Sequence, residues 1–138
     1  MLSLDPNVLQ RTNQLLMLDA HDTLSQFMVG GAPDAARFKF AMTEALNRLC
    51  RQRTDCRVRC YGEMVDVLWQ DGMTEAAIRL EILWNHLANT HAFALLCGYS
   101  LSNTYKDSAI STILSQHTHR VCDAGQLGRL PEPAESVA

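Results

Sequence analysis

The sequence predicts an α/β domain with a small, mostly parallel sheet that is flanked by helices. Three short strand-like segments alternate with longer segments whose apolar residues recur at helical spacing. Along the chain the order is strand, helices, strand, helices, strand and a last helix. Strands that alternate with helices in this way are typical of parallel sheets, because a parallel pair needs a long crossover connection.

Composition limits the class of protein. The chain has 138 residues, of which 47% are hydrophobic and 20% are charged, as in a single globular domain. The net charge of −3 and the absence of a basic stripe argue against direct binding of nucleic acid. No apolar run approaches the roughly 20 residues that span a bilayer, and no signal-peptide pattern is visible. We therefore expect a cytoplasmic protein without membrane contact.

The first half of the chain is predicted to hold one strand and two helices. Residues 14–19 (QLLMLD) form a short apolar run that predicts a buried strand. Asp19 then has the position of an N-cap for a short helix that stops at a turn, residues 30–31. The Pro-Asp pair at residues 33–34 opens the next helix, which continues to about Arg51.

The second half is predicted to hold two strands and three helices. Alternation in residues 57–61 (RVRCY) predicts a strand, and residues 64–70 predict a short helix. Thr74 begins the longest helix, residues 92–99 (AFALLCGY) predict a third strand, and residues 108–119 a last helix. The predicted domain covers residues 14–124, between an N-terminal arm (1–13) and a flexible C-terminal tail (125–138).

Motifs of common α/β enzymes are absent. The chain has no GxxxxGK[ST], GxGxxG, GxSxG or HExxH pattern, which argues against nucleotide hydrolysis, dinucleotide binding and serine or zinc hydrolase chemistry. Glu63 follows a predicted strand, where open α/β sheets place their ligand sites; alternatively it is an acid that favours the first turn of a helix. Glu75, Arg79 and Glu81 are assigned to a solvated helix face.

The cysteines and histidines give only weak metal signals. No CxxC occurs, so the five cysteines are predicted to be reduced and to pack as small hydrophobes rather than form a disulfide or metal site. Their positions are Cys50, Cys56, Cys60, Cys97 and Cys122. His117 and His119 are weak metal candidates, since on a helix their side chains diverge. We expect neither a metal nor another cofactor.

The two tryptophans leave two interpretations open. Trp69 and Trp84, together with nearby methionines, are most typical of core packing. Large aromatic faces and adaptable methionines also suit a pocket for a small apolar ligand.

Three strings of residues together resemble a known family. They are LDAHDTLSQFMVGGAPDAARF (18–38), YGEMVDVLWQDGMTEAAIRLEILWNHL (61–87) and FALLCGYSL (93–101). These strings resemble the MEDS family, the methanogen/methylotroph sensory domain named after the DcmR regulator of dichloromethane metabolism. The resemblance covers residues 14–121, including the sequence His117-Thr118-His119. The chain departs from the family pattern at Gly98, where a small residue such as alanine is common.

The resemblance implies a fold akin to the RecA/KaiC-type ATPases, without a P-loop and with a degenerate nucleotide site. It also implies a signalling role in bacteria, beside histidine kinases or transcription regulators, and small organic ligands. Glu63 falls near the acidic active-site region of the ATPase relatives. Tyr61, Trp84, Cys97 and Tyr99 belong to the family pattern.

The chain resembles only the C-terminal part of such a domain, because it begins about a dozen residues before the predicted first strand. In RecA-like sheets the missing strand lies between two of those that remain, so a strand edge would be left unpaired. We expect rearranged pairing, most simply in a homodimer.

The predicted function is a non-catalytic sensory or regulatory module that senses a small organic ligand or a signalling protein. One alternative is an interaction scaffold for a histidine kinase or transcription regulator, and a second is a residual nucleotide-binding, ATPase-like protein that uses Glu63. The candidate ligand-binding residues are Glu63, Tyr61, Trp69, Trp84, Cys97 and Tyr99.

Overall fold

The computed structural model describes residues 4–51, 53–100 and 108–119, which form six helices and four strands. No helix in these ranges is long and apolar enough to cross a membrane. The elements in chain order are α1 Pro6–Arg11, α2 Ala20–Phe27, β1 Met28–Val29, β2 Ala32–Pro33, α3 Ala35–Cys50, β3 Val58–Gly62, α4 Met64–Gln70, α5 Thr74–Ala88, β4 Phe93–Cys97 and α6 Ser108–Ser115.

Aspartate caps begin the two helices of the first half. The Asp19 carboxylate accepts a hydrogen bond from the Asp22 backbone N–H at 2.9 Å, which confirms the predicted cap of α2. The Asp34 carboxylate accepts from the Arg37 backbone N–H at 2.9 Å in the same way at α3. Helix α2 therefore starts where its sequence signal places it, whereas α3 begins at Ala35, just after the predicted Pro-Asp pair.

A short hairpin connects α2 to α3. Met28 pairs with Pro33 in antiparallel β1 and β2, and Gly30 and Gly31 form the turn with φ angles of 59° and 81°. Positive φ favours glycine, so the predicted turn at residues 30–31 is confirmed. Pro33 does not open α3, because it is buried in β2.

The central sheet consists of β3 and β4, which pair in parallel from Val58↔Phe93 to Gly62↔Cys97. Helices α4 and α5 form the crossover between the two strands. Alternate residues of both strands pack against the helices, while Tyr61 and Leu96 point outward and are 64% and 58% exposed. The described helices thus cover only one face of this sheet.

Residues 14–19 do not form the predicted buried strand, and this prediction was wrong. The backbone N–H groups of Gln14 and Leu15 both bond to the Leu9 carbonyl, and the segment then continues as extended chain. Met17 and Leu18 are 67% and 53% exposed. A strand needs a hydrogen-bonded partner, and no described strand lies beside this segment to supply one. The central sheet therefore has two strands rather than three.

Helix α5 lies at the centre of the core. Trp84 of α5 packs edge-on against Phe38 of α3 and Phe93 of β4, with ring centroids 5.1 and 5.9 Å away. Phe27 of α2 packs against Phe38 at 5.3 Å in turn. This row of rings joins α2 and α3 through α5 to the sheet. The predicted apolar stripe of α5 is buried: Ala77, Leu80, Trp84 and Leu87.

Cys50 and Cys56 form a disulfide, so the prediction that all cysteines are reduced was wrong. The last residue of α3 and the chain returning toward β3 come together with Cα atoms 5.5 Å apart, within the usual range for such a bond. Disulfides are uncommon in reducing cytosol, and this bond therefore weighs against the cytoplasmic expectation. Cys60 and Cys97 are free and partly buried.

The ends of the chain are only partly described. The predicted arm, residues 1–13, contains α1, which has no buried residue. The predicted tail, residues 125–138, lies outside the described residues, as does Cys122.

Candidate functional site

A cavity of about 680 Å³ opens between the extended segment at residues 15–19, the start of α2, α3 and β3. Its volume lies within the range of sites that bind small molecules. The walls are mainly apolar because helix α3 turns its apolar face toward the segment. The main apolar lining residues are Leu15, Met17, Leu46, Leu49, Trp84 and Leu95.

Polar groups are concentrated at two sides of this cavity. Asp19 and His21 lie on the side of α2, and Arg59 and Glu63 on the side of β3. The Asp19 carboxylate is already engaged in capping α2. Arg59 and Glu63 therefore offer opposite charges next to an apolar interior, an arrangement that suits a ligand with an apolar body and one polar end.

The Glu63 carboxylate is oriented by a neighbouring phenol. The Tyr61 hydroxyl donates a hydrogen bond to Glu63 Oε1 at 2.8 Å. This bond is the main reason that the pKa of Tyr61 is raised above its ordinary value, and the charges of Glu63 and Asp66 add to it. The Tyr61 ring lies against the backbone of Gly98, where an added Cβ would stand 3.0 Å from its Cζ. The glycine therefore leaves room for the phenol in its present position.

The structure separates the six candidate ligand residues into three places. Tyr61, Glu63 and Trp84 line the cavity. Trp69 is buried in α4, is not among the lining residues, and its indole N–H has no partner among the described residues. Cys97 and Tyr99 lie in a second, polar cluster.

This polar cluster consists of Glu81 of α5, Cys97 of β4, Tyr99 and His117. Glu81 is only 2% exposed, so its assignment to a solvated helix face was wrong. The Tyr99 hydroxyl donates a short hydrogen bond to Glu81 Oε1, and His117 Nε2 lies 3.4 Å from the same oxygen. His119 is exposed, and its Nδ1 contacts the Thr118 hydroxyl. The cluster thus includes one of the two weak histidine candidates.

Burial controls the protonation of the two other members of the cluster. It raises the pKa of the Cys97 thiol from 9.0 to about 12, and the charge of Glu81 adds to this effect. Burial and the hydrogen bond to Glu81 likewise raise the pKa of Tyr99. Both groups are therefore protonated near pH 7.

Sequence reasoning missed the role of Glu81, although a signal for its burial was present. Glu81 stands four residues after Ala77 and three before Trp84, which places it on the apolar stripe of α5. An acid at such a position faces the core and needs polar partners there. Its partner His117 comes from a distant part of the chain, which helical spacing alone does not reveal.

Residues 2–118 match the family described as MEDS: MEthanogen/methylotroph, DcmR Sensory domain. The chain belongs to this family. The match contains the residues of both the cavity and the polar cluster. Neither the curated proteins nor the solved structures include a significant match to the chain. The relation to RecA/KaiC-type ATPases and the restriction to the C-terminal part of the domain stay predictions.

Proposed function

We propose that this MEDS domain is a non-catalytic module of bacterial signal transduction that senses a small organic molecule bound in the cavity beside β3. The observation that carries the proposal is the mainly apolar cavity of about 680 Å³ with Glu63 and Arg59 at one side. Membership of a sensory family supports the same role.

The lining indicates which ligands to test. Leu46 and Leu49 offer apolar contact, while the Tyr61–Glu63 pair and Arg59 offer hydrogen bonds and charge at the mouth. Short alcohols and small carboxylic acids have the matching division into an apolar body and a polar end, and halogenated hydrocarbons test the apolar part of the cavity alone. In this proposal Glu63 orients the ligand rather than activating water.

A thermal-shift panel with these compounds, together with ATP and magnesium, tests the proposal. A ligand that binds only the folded state stabilises it by about 2.7 kcal/mol at 100 times its dissociation constant. We expect a shift with a member of the organic panel. A shift with ATP alone would instead favour the residual nucleotide-binding function, and the absence of any shift would contradict a ligand sensor.

A matched pair of variants locates the binding site. Ala45 lines the cavity, and Ala36 is exposed nearer the start of the same helix, so Ala45→Phe fills the cavity while Ala36→Phe leaves it open. The shift should disappear in Ala45→Phe and persist in Ala36→Phe. Persistence in both variants would contradict binding in this cavity.

A second candidate function, protein interaction, is favoured by the outer face of the sheet. Tyr61 and Leu96 are 64% and 58% exposed there, although parallel sheets are usually covered on both faces. We propose that a second copy of the chain covers this face. Sedimentation should show a dimer that Leu96→Asp converts to a monomer, whereas Ile82→Asp on the outside of α5 leaves the dimer intact.

A wild-type monomer in that experiment would contradict the homodimer. The same face would then be the first surface on which to test a histidine kinase or transcription regulator, and Leu96→Asp would serve again as the disrupting variant.

The location that we propose is the bacterial cytoplasm. The Cys50–Cys56 bond is the observation against this location, because thiols in the cytoplasm are usually kept reduced. Alkylation of the protein directly in cell extracts, followed by mass measurement, would show whether these two cysteines are free.

A further inference from the structure

The polar cluster contains a buried carboxylate with no lysine or arginine at ion-pair distance among the described residues. Glu81 is 2% exposed and lies among the apolar residues of α5. Within the described part of the chain its one ion-pair contact is to His117, and its hydrogen-bond donor is the neutral Tyr99 hydroxyl. Buried carboxylates are costly unless they are well paired or coordinate a metal.

Three chemically different donor atoms converge at this carboxylate. A carboxylate oxygen of Glu81, Sγ of Cys97 and a ring nitrogen of His117 all lie within 4.8 Å of one another. Zinc bonds to oxygen, nitrogen and sulfur are about 2.0–2.3 Å long, so two ligand atoms of a tetrahedral ion are about 3.3–3.8 Å apart. The three atoms therefore need to approach one another by at most about 1.5 Å to reach a common ion.

The histidine already has the orientation that a metal ligand needs. His117 Nδ1 lies 3.1 Å from the Ile113 carbonyl oxygen, and because a carbonyl only accepts, Nδ1 must donate. This bond leaves Nε2 as the nitrogen that faces Glu81. Metal-bound histidines commonly donate their second ring N–H to a backbone carbonyl in this way, and metal-bound carboxylates are commonly hydrogen-bonded. Tyr99 supplies that contact to Glu81, and its hydroxyl also lies 3.4 Å from His117 Nε2.

We propose that Glu81, Cys97 and His117 bind a divalent transition-metal ion of the zinc class. Thiolate and imidazole ligands select such ions over magnesium and calcium, which prefer oxygen. Three protein ligands leave one position of a tetrahedral ion open for water or a small molecule. The site is separate from the proposed ligand cavity, and its existence does not rest on the sensing function.

Metal titration of the full chain tests this site. The disulfide is left intact, so that Cys50 and Cys56 offer no thiolate, and Cys122→Ser is introduced throughout because this cysteine lies outside the described residues. Competition with a chromophoric chelator should show one equivalent of bound Zn²⁺. Co²⁺ in its place should give the charge-transfer absorption of a thiolate ligand.

Substitutions within the cluster should have graded effects. Cys97→Ser should abolish the thiolate absorption, and His117→Gln should weaken Zn²⁺ binding more than about 100-fold. Tyr99→Phe, which removes an outer partner only, should weaken it about 10- to 100-fold. Should Cys97→Ser fail to fold, His117→Gln still decides the matter, because the His117 side chain is 18% exposed and is more easily replaced.

Matched controls use the residues of the same type outside the cluster. Cys60 is the other free cysteine among the described residues, and His119 is the exposed neighbour of His117. Cys60→Ser and His119→Gln should leave the affinity and the absorption unchanged. The proposal is overturned when the parent protein binds no stoichiometric metal, or when binding survives in both Cys97→Ser and His117→Gln.

Discussion

Two tyrosine–glutamate hydrogen bonds lie at the same end of the sheet, one of them in solvent and the other buried. Tyr61 and Glu63 form the exposed pair at the end of β3. Tyr99 and Glu81 form the buried pair just beyond β4, with Glu81 2% exposed. The chemistry of the two bonds is the same, so the difference between them comes from their surroundings.

The comparison assigns different roles to the two pairs. Water competes for the exposed bond, which therefore adds little to stability but orients a carboxylate at the mouth of a cavity. The buried pair, together with His117, connects three elements. Glu81 belongs to α5, Tyr99 follows β4, and His117 follows α6. The exposed pair suits ligand contact, and the buried pair holds the fold together around it.

The largest expected change in the free energy of unfolding comes from removing the core packing of α6, next to the buried pair. Ile113 is 0% exposed, and its backbone carbonyl holds His117. Ile113→Ala should lower the free energy of unfolding by about 2–5 kcal/mol, as measured by denaturant titration. Thr112→Ala, exposed on the same helix, should change it by less than about 0.5 kcal/mol. Equal effects would mean that α6 does not pack as described.

The next largest change in the free energy of unfolding comes from removing one of the two tyrosine hydroxyls, and the two variants can be compared directly. Tyr99→Phe leaves the buried Glu81 carboxylate without its donor and should lower the free energy of unfolding by about 1–3 kcal/mol. Tyr61→Phe removes a bond in solvent and should change it by less than about 0.5 kcal/mol. Similar costs for both variants would contradict the division of roles between the pairs.

A smaller effect concerns the titration of the exposed phenol. The hydrogen bond to Glu63 and its charge raise the pKa of Tyr61, so Glu63→Ala should lower that pKa toward its ordinary value. Asp66 contributes through charge alone, and Asp66→Ala should therefore lower it less. The ultraviolet absorbance of tyrosinate gives the pKa, and subtraction of the Tyr61→Phe titration assigns it. An unchanged pKa in Glu63→Ala would exclude the bond.

The smallest effect comes from a pair of glycines. A Cβ at Gly98 would press on the Tyr61 ring, whereas at Gly62 its nearest neighbour would be Leu95 at 4.0 Å. Because Tyr61 is exposed and can move, Gly98→Ala should cost little stability but should separate the phenol from Glu63. The pKa of Tyr61 should fall in Gly98→Ala and stay constant in Gly62→Ala. The reverse order would contradict the packing of Tyr61.

The elements that the sequence predicted are those with local signals. The Asp19 cap, the glycine turn and the stripe of α5 depend on neighbours a few residues away, and all of them are confirmed. Strands β3 and β4 were predicted within about two residues of their ends because each is a short run between clear helices. The sequence alone therefore predicted most of the helices and strands that surround the cavity.

What the sequence could not provide depends on partners far along the chain. The apolar run at residues 14–19 looks like a strand, but a strand also needs a neighbour, and the run has none within the described sheet. The Cys50–Cys56 bond depends on how α3 returns toward β3. The polar environment of Glu81 is complete only when His117, which follows α6, packs against it. Each miss reflects tertiary contact rather than local propensity.

The extended segment at residues 15–19, beside the cavity, has a consequence for the rates of amide exchange and ligand exchange. It is held at one end by two bonds to the Leu9 carbonyl and at the other by the cap at Asp19, while the amides of residues 16–18 form no backbone bond with any described residue. These amides should exchange with solvent deuterium rapidly, and their exchange should slow when a molecule fills the cavity. In the proposed sensor a ligand would then enter and leave by displacing this segment alone, without breaking a hydrogen bond of the sheet.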